Sequence, residues 1–275
     1  MIFKRLYILL FFSAFFIGSA YITWLYYRYT LHNNFLKIQD ISHEKRIKHL
    51  GIIMDGNRRW AKSHGYKPWI GHKKGVEPVR TALEFCIKNR IPYLTLYVFS
   101  LENFNRPQEE LSYLFDVLAQ QIADQELDKL FKEGIKVCFI GERSLFPEKL
   151  KPLIEEIESK TAQADQLTLN LLFCYGGQQE IVAACKKIAS ECALGTLDCD
   201  KITPELFSHY LWSGPMPPPD LIIRTAGDQR LSNFLTWASA YSELCFLPCF
   251  WPEITDSMLT ESIEKFYQRK RTFGR

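Results

Sequence analysis

The sequence lacks the short motifs by which several large enzyme classes are recognised. No two aspartates are adjacent, which excludes an aspartate-rich magnesium motif. There is neither a glycine-rich phosphate loop ending in Gly-Lys nor the spaced glycines that bind a dinucleotide. Low-complexity tracts and internal repeats are also absent. The formal net charge is only +3, too small for a dedicated nucleic-acid-binding protein, so we expect no nucleic acid among the partners.

The eight cysteines do not form the pattern of a disulfide framework or of a zinc site. They occur singly between apolar residues, as Cys138 and Cys174 do. Cys245 and Cys249 are close in sequence, but the Phe-Leu-Pro run between them is typical of a protein core. Single, reduced cysteines in a chain of this length are typical of a domain that faces the cytosol.

Residues 6–27 contain no charged side chain. As a helix this stretch would be roughly 33 Å long, enough to cross a bilayer, and aromatic residues crowd its C-terminal end. A cleaved signal peptide with a small-residue site at residues 18–20 is the alternative, but the apolar stretch continues past that site. The sequence therefore predicts a membrane anchor over residues 1–29 and a basic linker over residues 30–48. The lipid bilayer would then be a partner, with the remaining domain on the cytosolic side.

Strand-like and helix-like segments alternate from residue 49 onward. Short apolar runs predict buried strands, and apolar residues at helical spacing between them predict helices. This alternation predicts a single α/β domain over residues 49–275, a mostly parallel sheet flanked by helices. Ligands bind at the carboxyl ends of the strands in such folds. The predicted strands cover residues 50–54, 91–99, 134–140, 167–174 and 221–223, and helices are predicted from Pro78 and over residues 111–122.

The first polar cluster directly follows the first predicted strand. Asp55 is suited to hold a hard cation, and Gly56 lets the backbone approach a ligand closely. Arg58 and Arg59 supply forked donors for phosphate oxygens. An ordinary Asp-Gly turn with solvated arginines is the alternative interpretation.

The second cluster follows the next predicted strand. Ser100, Glu102, Asn103, Asn105 and Arg106 place a hydroxyl, a carboxylate, two amides and a guanidinium in one loop. The alternative is a capped helix start. Capping explains one polar residue of the five, so a binding loop is favoured.

The third cluster follows the strand that ends at Arg224. Arg230 and Ser232 come within the next loop, and Glu243 lies a little later among apolar neighbours. A carboxylate in such surroundings is costly unless it is paired or binds a metal. The alternative is a glutamate on the exposed side of an edge strand. Together the three clusters provide arginines for two diphosphate groups and carboxylates for Mg²⁺.

These clusters resemble the ordered signature blocks of the cis-prenyltransferases, which include the undecaprenyl and dehydrodolichyl diphosphate synthases. The resemblance extends from residue 49 to the end of the chain. The absence of an Asp-Asp pair separates the sequence from the all-helical trans-prenyltransferases. The matching blocks are residues 54–60 with Gly71 and His72, residues 99–107, residues 175–177, residues 220–233 and Glu243.

The resemblance implies a homodimeric α/β enzyme with a hydrophobic tunnel. It would use Mg²⁺ to extend an allylic diphosphate, such as farnesyl diphosphate, with isopentenyl diphosphate units. The product would be a long polyprenyl diphosphate, the precursor of a glycosyl carrier lipid. In this scheme Asp55 holds Mg²⁺, assisted by Glu243, and promotes departure of the allylic diphosphate.

The resemblance also implies roles for the other matching residues. Gly56, Asn57, Arg58, Arg59 and His72 would bind the allylic diphosphate. The diphosphate of isopentenyl diphosphate would be held by Arg224, Arg230 and Ser232. Ser100, Asn103 and Arg106 would lie between the substrates, where condensation and proton loss occur, and Trp60 and Phe104 would form apolar walls.

Four positions depart from the pattern of the family. Pro68, Gln178, Gln229 and Thr272 stand where the family commonly has three arginines and, at 229, a histidine. A non-catalytic partner subunit of a heteromeric prenyltransferase is therefore an alternative function, although the retained Asp55 argues against it. A membrane-tethered lipid diphosphatase is a third, for which we find no nucleophile-and-base motif.

Overall fold

The computed structural model of the chain describes residues 46–123, 134–214 and 216–269. Within these residues the strands form one sheet in which every neighbouring pair is parallel. Its spatial order is β3-β4-β2-β1-β5-β6. The strands are β1 (His49–Ile53), β2 (Tyr93–Ser100), β3 (Ile135–Ile140), β4 (Leu167–Tyr175), β5 (Leu221–Arg224) and β6 (Glu243–Phe246).

Helices connect the strands, which confirms the predicted α/β domain with a parallel sheet flanked by helices. The helix α3 carries Pro78 in its first turn and buries Ala82, Leu83 and Cys86, as the apolar spacing predicts. The helices are α1 (Asn57–Ser63), α2 (Ile70–Lys74), α3 (Glu77–Lys88), α4 (Gln108–Ala123), α5 (Lys151–Thr161), α6 (Gly177–Ala193), α7 (Pro204–Tyr210) and α8 (Asp256–Gln268); short 3₁₀ helices cover Leu101–Asn105, Arg143–Leu145, Cys199–Lys201 and Trp251–Glu253.

The strands β1 and β5 are buried on both of their faces. All five residues of β1 and all four of β5 are buried. The strands β2, β4 and β3 lie on one side of β1, and the last two strands, β5 and β6, lie on the other side of β1. The strand order therefore reverses beside β1, and open parallel sheets bind their ligands at such a reversal.

A buried polar network crosses β1, β2 and β4 beneath this reversal. The Nε2 atom of His49 lies 2.7 Å from Oγ1 of Thr95, which accepts a hydrogen bond from Asn170. His49 Nδ1 lies 2.6 Å from the carbonyl oxygen of Pro217. Because a carbonyl only accepts, Nδ1 carries the hydrogen, and the neutral ring is satisfied on both sides. Burial lowers the pKa of His49 to about 4.

The predicted location, a single-pass membrane protein with its catalytic domain facing the cytosol, is wrong. No helix in residues 46–123, 134–214 and 216–269 is long and apolar enough to cross a membrane. The helix α6, for example, has 17 residues and includes charged side chains along its length. Residues 6–27, on which the prediction rested, lie outside the described residues, as does most of the predicted linker.

Candidate active site

A cavity of about 980 Å³ opens at the carboxyl ends of β1, β2 and β5. The three polar clusters follow these same strands, so the fold brings them to one place. Four of the predicted site residues, Trp60, Phe104, Arg230 and Glu243, do not line the cavity. Those that line it are Asp55, Gly56, Asn57, Arg58, Arg59, His72, Ser100, Asn103, Arg106, Arg224 and Ser232.

An ion pair between neighbouring strands forms the centre of the cavity wall. In the register of β1 and β5, Ile53 lies beside Arg224, and Asp55 follows two residues later. The Oδ2 atom of Asp55 lies 2.7 Å from Nη2 of Arg224. The Arg224 side chain is 4% exposed and that of Asp55 28%. The carboxylate therefore faces the cavity while the guanidinium behind it is fixed in the protein.

Arg224 also organises the loop that follows β5. Its Nη1 atom donates 2.8 Å to Oγ of Ser232 and also to the carbonyl oxygen of Arg230. The loop can fold back in this way because Gly227 and Ser232 adopt positive φ angles. The backbone of this loop is thus held by the same guanidinium that pairs with Asp55.

The predicted cavity residue Arg230 lies on the outer side of this loop. Its side chain is 61% exposed, and Nη1 lies 2.8 Å from Oδ1 of Asp228. The other oxygen of Asp228 lies 2.7 Å from Nη2 of Arg59. Arg59 in turn lies 3.3 Å from Oδ1 of Asp55. Asp228, which the sequence did not single out, therefore links Arg59 and Arg230, which are predicted to bind different diphosphates.

Two glycines allow α1 and α2 to approach the cavity closely. Gly56 precedes α1 with a φ of 102°, and a Cβ there would lie 2.8 Å from the Phe250 ring. A Cβ on Gly71 would lie 1.9 Å from the carbonyl oxygen of Asn57, which a backbone cannot accommodate. Glycine at position 71 is thus needed for the contact that places Asn57 beside α2 and its cavity-lining His72.

A buried carboxylate that the sequence did not single out joins three predicted site residues. Glu110 Oε1 lies 3.0 Å from Nη1 of Arg106 and 3.3 Å from Nε2 of His72. Its Oε2 atom lies 3.5 Å from Nη2 of Arg58. Burial lowers the pKa of His72, and the hydrogen bond to Glu110 opposes this effect. The hydrogen bond with His72 is the main cause that lowers the pKa of Glu110, aided by both arginines.

The second cluster is partly a helix cap, as its alternative interpretation held. Asn103 Oδ1 accepts a hydrogen bond of 3.2 Å from the backbone N–H of Ser100, and the two residues form a capping box. Phe104 is exposed and packs edge-on against Phe99 at 4.9 Å, rather than lining the cavity. Capping does not account for Arg106, whose guanidinium turns to the cavity and Glu110.

The opposite wall contains an amide cluster that the sequence analysis did not assign. Asn233 Nδ2 lies 2.9 Å from Oε1 of Glu102 and from Oε1 of Gln179. Asn233 Oδ1 accepts a bond of 2.7 Å from the backbone N–H of Gln178. Glu102, Gln178 and Asn233 all line the cavity. In the sequence, only the glycine pair Gly176 and Gly177 at the start of α6 pointed to this contact between distant loops, and the indication was weak.

Trp60 and Glu243 lie away from the cavity. The Trp60 ring stacks on His64 at 4.3 Å. Glu243 begins β6 beside Leu221, the first residue of β5, roughly 10 Å before the strand end that carries Asp55 and its partner. The Oε2 atom of Glu243 lies 2.6 Å from Nη1 of Arg269. The structure therefore does not bring Glu243 to Asp55, and its role in binding metal stays a prediction.

The donors around the cavity suit a magnesium ion only if the substrate supplies further ligands. In the part of the chain that the structure describes, no three His, Cys, Asp or Glu side chains are grouped as a metal site. Asp55 is a partly exposed carboxylate on the cavity wall. Mg²⁺ is commonly bound by one or two carboxylates together with substrate phosphates. Asp55 fits that manner of binding.

Known proteins resemble the chain over most of its length. The family model for undecaprenyl diphosphate synthase matches residues 53–274. A geranylgeranyl-specific tritrans,polycis-undecaprenyl-diphosphate synthase from Methanopyrus kandleri is 42% identical over 83% of this chain and 84% of its own. A farnesyl-specific ditrans,polycis-undecaprenyl-diphosphate synthase from Haemophilus ducreyi is 43% identical over 82% of this chain and 93% of its own.

Solved structures show the same relationship. Lavandulyl diphosphate synthase from Lavandula x intermedia, solved with dimethylallyl diphosphate, is 31% identical with a TM-score of 0.81. The alignment covers 84% of this chain and all of that one. The chain belongs to the cis-prenyltransferase family and is a transferase of prenyl groups.

Proposed function

We propose that the enzyme condenses isopentenyl diphosphate units onto an allylic diphosphate such as farnesyl diphosphate, and that it makes a long-chain polyprenyl diphosphate that serves as a precursor of a glycosyl carrier lipid. The observation that carries the proposal is the Asp55–Arg224 ion pair, which lies in the wall of the same cavity as Arg58, Arg59 and His72. A reaction that joins two diphosphate esters needs two separate anion sites at a fixed distance.

The allylic diphosphate would bind on the α1 side of the cavity. Arg58 and Arg59 are each 45% exposed, so their guanidinium groups remain accessible to a ligand. His72 and the backbone at Gly56 and Asn57 complete this wall. Breakage of the allylic C–O bond places negative charge on the leaving diphosphate, and fixed guanidinium groups stabilise that charge as it develops.

Isopentenyl diphosphate would bind on the β5 side, at Arg224 and Ser232. Arg224 is held in place by its bonds to Asp55 and to the loop after β5, so it needs little reorganisation when an anion arrives. The double bond of this substrate attacks the allylic carbon, a C–C bond forms and a proton is lost. Ser100, Asn103 and Arg106 line the same cavity. They would lie between the two substrates, where these steps would occur.

A magnesium ion would be held by Asp55 and the substrate phosphates. When bound, it would add positive charge beside the leaving diphosphate and so assist its departure. We further propose that the enzyme acts as a homodimer, as the resemblance to the family implies. Light scattering on the purified chain would test this, and a species of single-chain mass at catalytic concentrations would contradict it.

Incorporation of radiolabelled isopentenyl diphosphate tests the proposed function. The purified chain is incubated with Mg²⁺ and either farnesyl or geranylgeranyl diphosphate, and the products are separated by chain length. We expect long-chain products, with one starter preferred, and no incorporation when the divalent cation is chelated. Products with only one or two added isopentenyl units would show that the enzyme makes a short-chain diphosphate instead.

A further inference from the structure

Glu110 is a carboxylate that lies behind the cavity wall. It belongs to the first turn of α4, its side chain is 2% exposed, and it does not line the cavity. The adjacent Glu109 is exposed. A glutamate buried to this degree is costly unless charged or hydrogen-bonding partners compensate for its lost hydration.

The partners of Glu110 come from three separate segments. Arg58 lies in α1, His72 in α2, and Arg106 in the loop between a 3₁₀ helix and α4. Each of the three lines the cavity. Glu110 is therefore the common point through which three segments of the cavity wall are connected.

The contacts of Glu110 leave donors available for a ligand. It engages Nη2 of Arg58 and Nη1 of Arg106, and a guanidinium has five N–H groups in all. The Nε2 atom of His72 lies 3.3 Å from the carboxylate of Glu110 and 3.4 Å from Nη1 of Arg106, so the imidazole ring belongs to the same group of contacts. Glu110 thus orients both arginines without using up their capacity to bind an anion, and it fixes the imidazole ring beside them.

Without Glu110 the same three groups would be poorly placed. The side chain of Arg106 is 23% exposed. Burial lowers the pKa of its guanidinium, and the nearby positive charge of Arg58 lowers it further. The carboxylate of Glu110 offsets that repulsion. Its removal would favour rotamers that carry the guanidinium groups apart and into solvent.

We propose that Glu110 is a positioning residue that holds Arg58 and His72 in the arrangement that receives the diphosphate of the allylic substrate, and that holds Arg106 beside them, where the two substrates meet. This inference rests on the proposed function, because it assigns that wall of the cavity to the allylic diphosphate.

Three substitutions test the inference in the full-length enzyme. Glu110→Gln keeps the shape of the side chain but removes its charge, and Glu110→Asp keeps the charge on a shorter side chain. Glu109→Gln removes the same charge from the adjacent exposed position. The Michaelis constants for farnesyl diphosphate and isopentenyl diphosphate, kcat and the melting temperature are measured for each.

We expect Glu110→Gln to raise the Michaelis constant for farnesyl diphosphate about tenfold, with little change in that for isopentenyl diphosphate. Glu110→Asp should recover part of the loss, and Glu109→Gln should behave as the wild type. An unchanged Michaelis constant in Glu110→Gln, with or without a lower melting temperature, would overturn the inference, as would equal effects on both substrates. Failure of the wild-type enzyme to extend either farnesyl or geranylgeranyl diphosphate would instead refute the proposed function.

Discussion

Asp55 and Arg224 pair across two adjacent parallel strands, with Oδ2 of the carboxylate 2.7 Å from Nη2 of a guanidinium that is almost fully buried. The register of β1 and β5 fixes this pair, because it places Arg224 beside Ile53 at the ends of both strands. Asp55 thus presents its carboxylate to the cavity, and the buried guanidinium of Arg224 holds that carboxylate in place.

Replacement of Asp55 by asparagine should stop chain elongation without unfolding the protein. The amide keeps the shape of the side chain, but it removes a negative charge that meets both Arg224 and Arg59. We expect kcat to fall by about 10² to 10³, as for the loss of one group that stabilises developing charge. Incorporation of isopentenyl diphosphate measures kcat, and circular dichroism measures folding. Asp165→Asn, at an exposed site, is the matched control, and near-normal turnover in Asp55→Asn would exclude a catalytic role.

The sheet could be predicted from the sequence because its central strands are continuous apolar runs. The stretch that ends at Ile53 and the one before Arg224 are too short for buried helices and are followed directly by polar loops. Parallel strands also bring their carboxyl ends to one edge, so clusters distant in sequence could be assigned to one site. Cavity-lining residues such as Asp55, Arg106 and Arg224 followed from this rule, whereas His72 followed only from the resemblance to the family.

The contacts that join the clusters could not be predicted in the same way. Glu109 and Glu110 are adjacent and identical, yet one is exposed and the other is buried. Only the packing of α4 against α1 and α2 distinguishes them. The spacing of Glu110 from Leu114 on the apolar face of α4 was the one available signal. Glu243 was placed at the site because its neighbours are apolar, but the register of β6 puts it at the opposite end of the strand.

Arg224 and Arg230 should not contribute equally to binding of isopentenyl diphosphate. Arg224 is buried and holds both Asp55 and Ser232, whereas Arg230 is mostly exposed and pairs with Asp228. We expect Arg224→Ala to raise the Michaelis constant for isopentenyl diphosphate by more than tenfold and Arg230→Ala by only about threefold. Steady-state kinetics with each substrate varied in turn measure both constants. A larger effect on the allylic substrate would show that the two diphosphate sites are assigned the wrong way round.

The stability of the protein should fall as the pH drops below about 6.5. Burial lowers the pKa of His49 from 6.5 to about 4, so between these values the unfolded chain binds a proton that the folded protein does not. Stability is therefore complete above pH 6.5 and is lost progressively as the pH falls towards 4. For His49 the loss in the free energy of unfolding is on the order of 3 kcal/mol. Burial also lowers the pKa of His72, so His72 adds to the loss in the same direction. Denaturant unfolding at a series of pH values measures the free energy of unfolding.

Variants of two histidines separate this effect from general acid denaturation. His49→Gln should be less stable at neutral pH, because it disturbs the bonds to Thr95 and Pro217, but its stability should depend less on pH between 4 and 6.5. His64→Gln, at an exposed position, should keep the slope of the wild type. An identical slope in His49→Gln and the wild type would show that His49 does not titrate as its burial implies.

Introduction of an arginine at position 68 should tighten binding of the allylic diphosphate. The family commonly has an arginine where this chain has Pro68, and Lys67 does not replace it in the cavity, since its Nζ lies 5.1 Å from the centroid of the Trp69 ring. Arginine can offer a phosphate two parallel hydrogen bonds, which a lysine cannot. We expect Pro68→Arg to lower the Michaelis constant for farnesyl diphosphate about threefold, the effect of one partly exposed charge. Pro68→Gln is the control, because it removes the same ring constraint without adding charge. If both variants bind the substrate equally, backbone freedom rather than charge accounts for the change, and the loop before α2 does not reach the diphosphate.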